Sequence, residues 1–335
     1  FRQKKKAQSK KRDSLEYPFC YRKVWYTKKS KNEMTLLCLA LVATIVSNVL
    51  VVEAYKRAPY KGSDGSEGVE FTAWEPYVTE LKIPAVADLR KGGSVDMSIG
   101  KHDHFWGAGM DLPTPMYGYG VQGEAPTYPG PTILTSKDVP INITWHNDIT
   151  GLHLLNRHIA PALLIPPTDC YPKCGVPTIT HVHGMEVPAE SDGVPYQVVL
   201  PGEARTDSYS NAQMSSTHVY HDHTMGITRL NQWAGLVGAY IIEDGDSLFE
   251  TALSASCDIP LVMRDVMVTE GGDLIYASTP CSPAITTWAP EAYGAANAVN
   301  GIVMPFVNIP QQQCRLRLVN GANSRNYPLD RKSVV

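Results

Sequence analysis

Apolar residues along this chain recur in short alternating or continuous runs, not at helical spacing. Runs at 95–99 (VDMSI), 131–135 (PTILT), 139–145 (VPINITW), 178–183 (TITHVH), 217–221 (THVYH) and 234–242 (AGLVGAYII) have the length and period of β-strands. Turn chemistry separates them, including Pro129-Gly130-Pro131, Ser191-Asp192-Gly193 and Pro201-Gly202. A polar break at Glu243-Asp244-Gly245-Asp246 is followed by a second series at 259–263, 273–276, 302–307 and 314–319. Strand after strand with no helical pattern between predicts an all-β protein built as a Greek-key sandwich or barrel. The first unit spans 76–245, and a second, shorter one begins near 246 and ends directly after a strand, so it reads as partial.

Composition changes the picture mainly at the N-terminus. The 335 residues have a net charge of −3, yet residues 1–33 alone hold twelve Lys/Arg against three acidic residues, leaving −12 on the remainder. Residues 35–52 then form an apolar run preceded by Lys28, Lys29 and Lys31 and ending in Val52-Glu53-Ala54. This is the layout of a signal peptide over 34–54 with cleavage after Ala54; a membrane anchor over 35–52 is the alternative. Residues 1–33 read as translated sequence upstream of a start at Met34, not as a nucleic-acid arm, and 55–75, polar with three glycines, as a flexible lead-in. Secretion makes the five later cysteines, Cys170, Cys174, Cys257, Cys281 and Cys314, candidates for disulfides, with a local bridge open to Cys170 and Cys174; an odd count leaves one without a partner within the chain. Asn142-Ile143-Thr144 is an N-glycosylation sequon.

The ten histidines carry the chemistry. His181-Val182-His183-Gly184 and His221-Asp222-His223 each end a strand-like run, about 40 residues apart. Side chains at i and i+2 of a strand share a face, with α-carbons roughly 6.5 Å apart. Two such pairs on neighbouring strands put four imidazoles in one small volume, a donor set suited to copper, iron or zinc rather than calcium or magnesium. Gly184 lets the backbone turn just after the second ligand. His102-Asp103-His104 has the same spacing but lies in a polar stretch (KHDHFWGAG) and reads as a solvated loop; His146, His153, His158 and His218 read as structural.

Five segments together, PGPT (129–132), HVHG (181–184), SDG (191–193), YHDHTMGITRLNQWAGLVGAYII (220–242) and VNGIVMPF…RLRLVNGANSRNY (299–327), resemble the multicopper oxidases, within them the spore-coat laccase and bilirubin oxidase branch. The resemblance runs from about 80 to 329. It implies cupredoxin domains and copper, with one-electron oxidation of a donor coupled to reduction of O₂ to water. The donor would be a small molecule or a metal ion. The resemblance further implies that His181 binds a type 2 copper, that His183 and His221 bind one type 3 copper and His223 the other, and that Asp192 relays protons to reduced oxygen; the plainer reading of Asp192 is a turn residue. Arg229 and Asn231 are expected to orient the chain locally.

The family's remaining histidine motifs and its type 1 copper site are absent from these residues: no cysteine is flanked by histidines. The expectation is therefore a piece of a longer oxidase, inactive alone because it holds half the ligands of a trinuclear cluster. Two other readings compete with it. One is a non-catalytic secreted copper-binding cupredoxin module. The other is a zinc hydrolase, which would need a carboxylate base close to the histidines, a place only Glu186 approaches. Oligomeric state and donor identity are not legible.

Overall fold

A computed structural model describes residues 74–245, 257–276 and 291–329. The basic extension, the signal segment, nearly all of the lead-in, the boundary near 246 and Cys281 lie outside the described residues.

Nine strands form two mixed sheets. One has the order β1 (Val86–Asp88), β4 (Gly130–Ser136), β9 (Val237–Glu243), β8 (Ser216–Asp222), β6 (Thr180–His183). The other runs β3 (Thr114–Val121), β2 (Gly93–His104), β5 (Ile141–Asn147), β7 (Ala204–Tyr209). From β3 to β8 every connection crosses from one sheet to the other, the Greek-key habit expected of a cupredoxin-like sandwich. Alternation decides which side chains go inward: in β5, Ile141, Ile143 and Trp145 are buried while Asn142 is exposed. The inner faces meet through aromatic rings, with the Tyr220 ring 4.9 Å from Tyr119 and 5.8 Å from Trp145, and Tyr209 5.8 Å from Tyr240.

A third sheet has the order β12 (Ile302–Val303), β11 (Ala296–Val299), β10 (Asp258–Val266), β13 (Arg315–Asn320). Cys257 and Cys314, at the feet of its parallel pair β10–β13, are joined by a disulfide, and Cys170 is joined to Cys174. This sheet is keyed to the sandwich by Arg264, 2% exposed, whose guanidinium lies 5.0 Å from the Trp233 ring, 5.2 Å from Tyr128 and 6.0 Å from Trp106. Three aromatic faces take the place of part of its hydration. Its Nη2 also donates to the Trp233 carbonyl.

Four features differ from the sequence reading. Strands β1, β3, β7 and β11 appear where no run had been assigned. A short helix, α1 (Thr228–Ala234), precedes β9, closed by Gly235 at φ +126°. Residues 273–276 make only a single bridge, Val268 to Leu274, and the 302–307 run keeps two strand residues. The stretch 102–104 is the end of β2, not a loop: His104 is 7% exposed, with Nε2 2.7 Å from the Gly301 carbonyl.

Candidate metal centre

Strands β6 and β8 pair antiparallel in the register Thr180–Asp222, His181–His221, Val182–Tyr220, His183–Val219. Directly opposed residues share a face, so His181 and His221 project together, and His183, two residues on from His181, joins them. Buried Val182 and Tyr220 point the other way, into the sandwich. Past the strand end the His223 N–H donates to the Ile179 carbonyl at 2.8 Å, which keeps the chain beside β6 and brings a fourth imidazole to the group. Ring centroids lie 5.7 Å apart for His181–His183, 5.5 Å for His181–His221, 5.7 Å for His183–His221, 5.0 Å for His181–His223 and 5.8 Å for His221–His223. One ligand nitrogen from each of His181, His183 and His221 falls within 4.8 Å of the others. His223 stands beside this trio.

Hydrogen bonds choose the nitrogens that face inward. His181 Nδ1–H donates to the Asp192 carbonyl at 2.5 Å, and His221 Nδ1–H to the Asp222 carbonyl at 2.7 Å, which leaves Nε2 of each ring with its lone pair. A backbone carbonyl holding the far nitrogen is the usual support of a metal-binding imidazole. His221 Nε2 and His183 Nδ1 are 3.5 Å apart. Two imidazole nitrogens each about 2 Å from a shared ion can be no more than about 4 Å apart, so this couple fits one ion. Nδ1 of His223 is buried with no hydrogen-bond partner, an open position that costs free energy unless something binds there.

Burial pushes the His221 imidazole down to about 4, and the neighbouring His181, His223 and His183 push the same way. His223 is lowered too, again chiefly by burial. Both are neutral imidazoles, the form that donates a lone pair to a metal, over the physiological range. His183 is the exposed member, so the group opens to solvent on that side among the described residues.

The turn carrying Asp192 is clamped onto β6. Gly193 has φ +69°, and a Cβ there would sit 2.0 Å from the Thr180 carbonyl oxygen, so only glycine allows this approach. Gly184, φ +84°, makes the reversal after His183. The Asp192 carboxylate is 3.3 Å from His181 Nδ1 and about one third exposed, side chain 35%. Behind the turn, Ser191 Oγ accepts the Ser208 N–H at 3.0 Å. Arg205 donates to buried Asp207 at 2.8 Å, to Gln197 Oε1 at 2.9 Å and to the Glu190 carbonyl.

Asp222, between the two histidines of its motif, is fully buried and ties the ends of both ligand strands. Its Oδ1 accepts from the Ile179 N–H and the Thr224 hydroxyl, and its Oδ2 from the Thr224 N–H. Burial raises its carboxyl to about 6. From α1, the Gln232 side-chain amide donates to the Asp222 carbonyl at 3.4 Å, the same oxygen that holds His221 Nδ1–H. Sequence spacing pointed to none of Asp222, Gln232 or Arg205, because each acts on a partner chosen by the fold.

The other histidines are held by hydrogen bonds or packing. His146 meets Asp96 at 2.8 Å; His153 bonds Asn231 and Leu155; His158 is buried against Tyr276; His218 Nδ1–H donates to the His183 carbonyl at 2.9 Å. Arg229 donates to the His158 carbonyl at 2.8 Å and lies over Tyr276. Glu186 is exposed, and the trio of ligand residues contains no carboxylate.

Four convergent imidazoles on a Greek-key sandwich define a candidate transition-metal centre, and similarity to known proteins gives its family. Residues 173–247 match the family model described as multicopper oxidase. The chain is 33% identical over 274 residues to multicopper oxidase LPR1 homolog 1 of Oryza sativa subsp. japonica, covering 76% of this chain and 46% of the relative. It is 32% identical over 233 residues to a laccase of Bacillus subtilis (strain 168), covering 65% of this chain and 43% of the relative. The crystal structure of McoA multicopper oxidase from the hyperthermophile Aquifex aeolicus superposes with a TM-score of 0.57 at 25% identity, covering 74% of this chain and 47% of that one. The chain belongs to the multicopper oxidase family, whose cofactor is copper. It spans less than half the length of these relatives.

Proposed function

We propose that these residues supply one half of the oxygen-reducing copper centre of a laccase-like oxidase. The observation that carries the reading is the convergence of His181, His183 and His221 nitrogens within 4.8 Å, with two rings already held by backbone carbonyls. His183 and His221 would hold one type 3 copper, His223 the other, and His181 the type 2 copper. Bound copper supplies one-electron chemistry, taking electrons from a donor and passing them to O₂, which is reduced to water.

The chain's own residues prepare that centre. Carbonyls of Asp192 and Asp222 orient His181 and His221, burial keeps His221 and His223 unprotonated, and the Gly193 turn holds Asp192 beside His181. The Asp192 carboxylate would exchange protons between solvent and the cluster, a reading supported by its partial exposure and its distance of 3.3 Å from His181 Nδ1. The remaining four histidines and the type 1 site come from polypeptide beyond these residues. The donor is a phenol, a bilirubin-like pigment or a metal ion, as in the spore-coat laccase and bilirubin oxidase branch, and the 34–54 segment directs secretion.

Oxygen consumption tests the reading. A polypeptide joining these residues to the downstream ligand motifs should consume O₂ with a phenolic dye only when copper-loaded, and lose that activity on His183→Ala. The 335-residue chain alone should bind copper without turnover. Steady oxidation by the chain alone, or turnover in the joined protein that survives His183→Ala, contradicts it.

A further inference from the structure

The Asn142-Ile143-Thr144 sequon takes no part in the copper centre, and the fold gives it a definite setting. Asn142 and Thr144 lie on β5, on the face opposite to buried Ile141, Ile143 and Trp145. On that face Asn142 is exposed and Thr144 half-buried. Asn142 is flanked in register by Ser94 of β2 and Ser208 of β7, both exposed and both small. An open cleft beside it is lined by Ser94, Pro140, Pro188, Ser208, Tyr209 and Ser210, a mix of hydroxyls and flat apolar surfaces. The amide is oriented as well: Ser208 Oγ–H donates to Asn142 Oδ1 at 2.7 Å, which turns Nδ2 away from that neighbour. A bond to Oδ1 survives substitution at Nδ2, so the folded sheet accommodates a modified Asn142 without giving up a contact.

We propose that Asn142 carries an N-linked oligosaccharide, with the first sugar rings lying in the cleft between the Ser94 and Ser208 rows. The transfer forms a bond between Asn142 Nδ2 and the anomeric carbon of a lipid-linked diphospho-oligosaccharide. The bond from that carbon to the phosphate oxygen breaks, the polyprenyl diphosphate leaves, and the amide nitrogen gives up one proton. The sequon is the only one in the 335 residues, so occupancy has a single readout. The glycan would stand on β5, in the sheet opposite to the ligand strands β6 and β8, and leave copper binding unchanged. The proposal rests on passage through a secretory lumen, which belongs to the proposed function.

The test separates the two. The chain is secreted from a glycosylation-competent eukaryotic host in two forms, one with residues 1–54 replaced by a foreign cleavable leader and one with its own. Secreted protein is treated with peptide N-glycosidase and mapped by mass spectrometry. In the foreign-leader form the proposal expects deglycosylation to shift the protein to polypeptide mass and convert Asn142 to Asp, with complete loss of the glycoform in Asn142→Gln and Thr144→Ala and retention in Thr144→Ser. Secreted foreign-leader protein without glycan, or a glycoform that persists in Asn142→Gln, overturns it. Retention of only the own-leader form inside cells would count against the signal segment and leave the site standing.

Discussion

Protonation of His153 should make the fold acid-sensitive by an amount that can be worked out. The ring is 3% exposed; its Nε2–H donates to Asn231 Oδ1 at 2.9 Å, and its Nδ1 accepts the Leu155 N–H at 2.8 Å. A proton on Nδ1 would face that N–H, and burial penalises the charge first of all, bringing the imidazole from 6.5 down to about 4. A base whose folded value lies below its unfolded value stabilises the fold fully above the unfolded value. That stability drains away as pH falls from about 6.5 toward 4. Between pH 7.5 and 5 the unfolded chain takes up the proton and the folded chain does not, a loss of roughly 2 kcal/mol. Other groups titrate in the same window: His158 and His221 with the same sign, Asp207 and Asp222, both raised to about 6 by burial, with the opposite one. The quantity to measure is therefore a difference. Urea unfolding of the copper-free chain, followed by tryptophan fluorescence at pH 7.5 and 5, should show His153→Gln losing about 2 kcal/mol less than the parent on acidification. Equal losses in the two proteins would refute the assignment of a neutral, buried His153.

Other consequences follow from the same geometry. Arg205→Ala leaves the Asp207 carboxylate buried without its cation and frees the 190–197 turn; the expected cost is about 3–5 kcal/mol in chemical unfolding, much of it recovered by adding Asp207→Asn. Gly193→Ala drives a methyl into the Thr180 carbonyl, so copper affinity measured by competition with a chelator should fall at least tenfold, whereas Gly202→Ala, where nothing lies within 4 Å, should leave it unchanged. Opening the Cys257–Cys314 bridge, which spans 57 residues of sequence, should lower unfolding free energy by about 4 kcal/mol on loop entropy, read from denaturant midpoints of a Cys257→Ser/Cys314→Ser double variant. Tyr220→Phe removes the hydroxyl that donates to the buried Pro131 carbonyl and should cost about 1–3 kcal/mol by thermal melting.

Much of this was written in the order of the residues. Strand β5, with one buried face, announces itself by apolar alternation, and β9, buried on both faces, by a continuous apolar run; H-x-H on a strand dictates that two imidazoles share a face. Strand β3 (TPMYGYGV) hides because its glycines stand where side chains would mark the period, and β7 (ARTDSY) because its inward residues, Asp207 and Tyr209, include a charge. The seven residues of α1 lie between Gly226 and Gly235, too short a stretch to display a helical period. His104 reads as polar loop until the fold supplies the Gly301 carbonyl, almost two hundred residues away, that makes its burial possible. Asp222, Gln232 and Arg205 escape for the same reason: a hydrogen-bond partner brought by tertiary pairing leaves no local signature.

The convergence of imidazoles is tested most directly by copper itself. X-ray absorption on the purified chain loaded with one equivalent of Cu(I), alongside competition titrations, reads both donor identity and affinity. The account predicts a first shell of imidazole nitrogens only, an affinity at least tenfold weaker in His183→Ala and in His221→Ala, and no change in His146→Ala. Copper held by sulfur or carboxylate donors, or bound equally well by the His183→Ala and His221→Ala proteins, would contradict it.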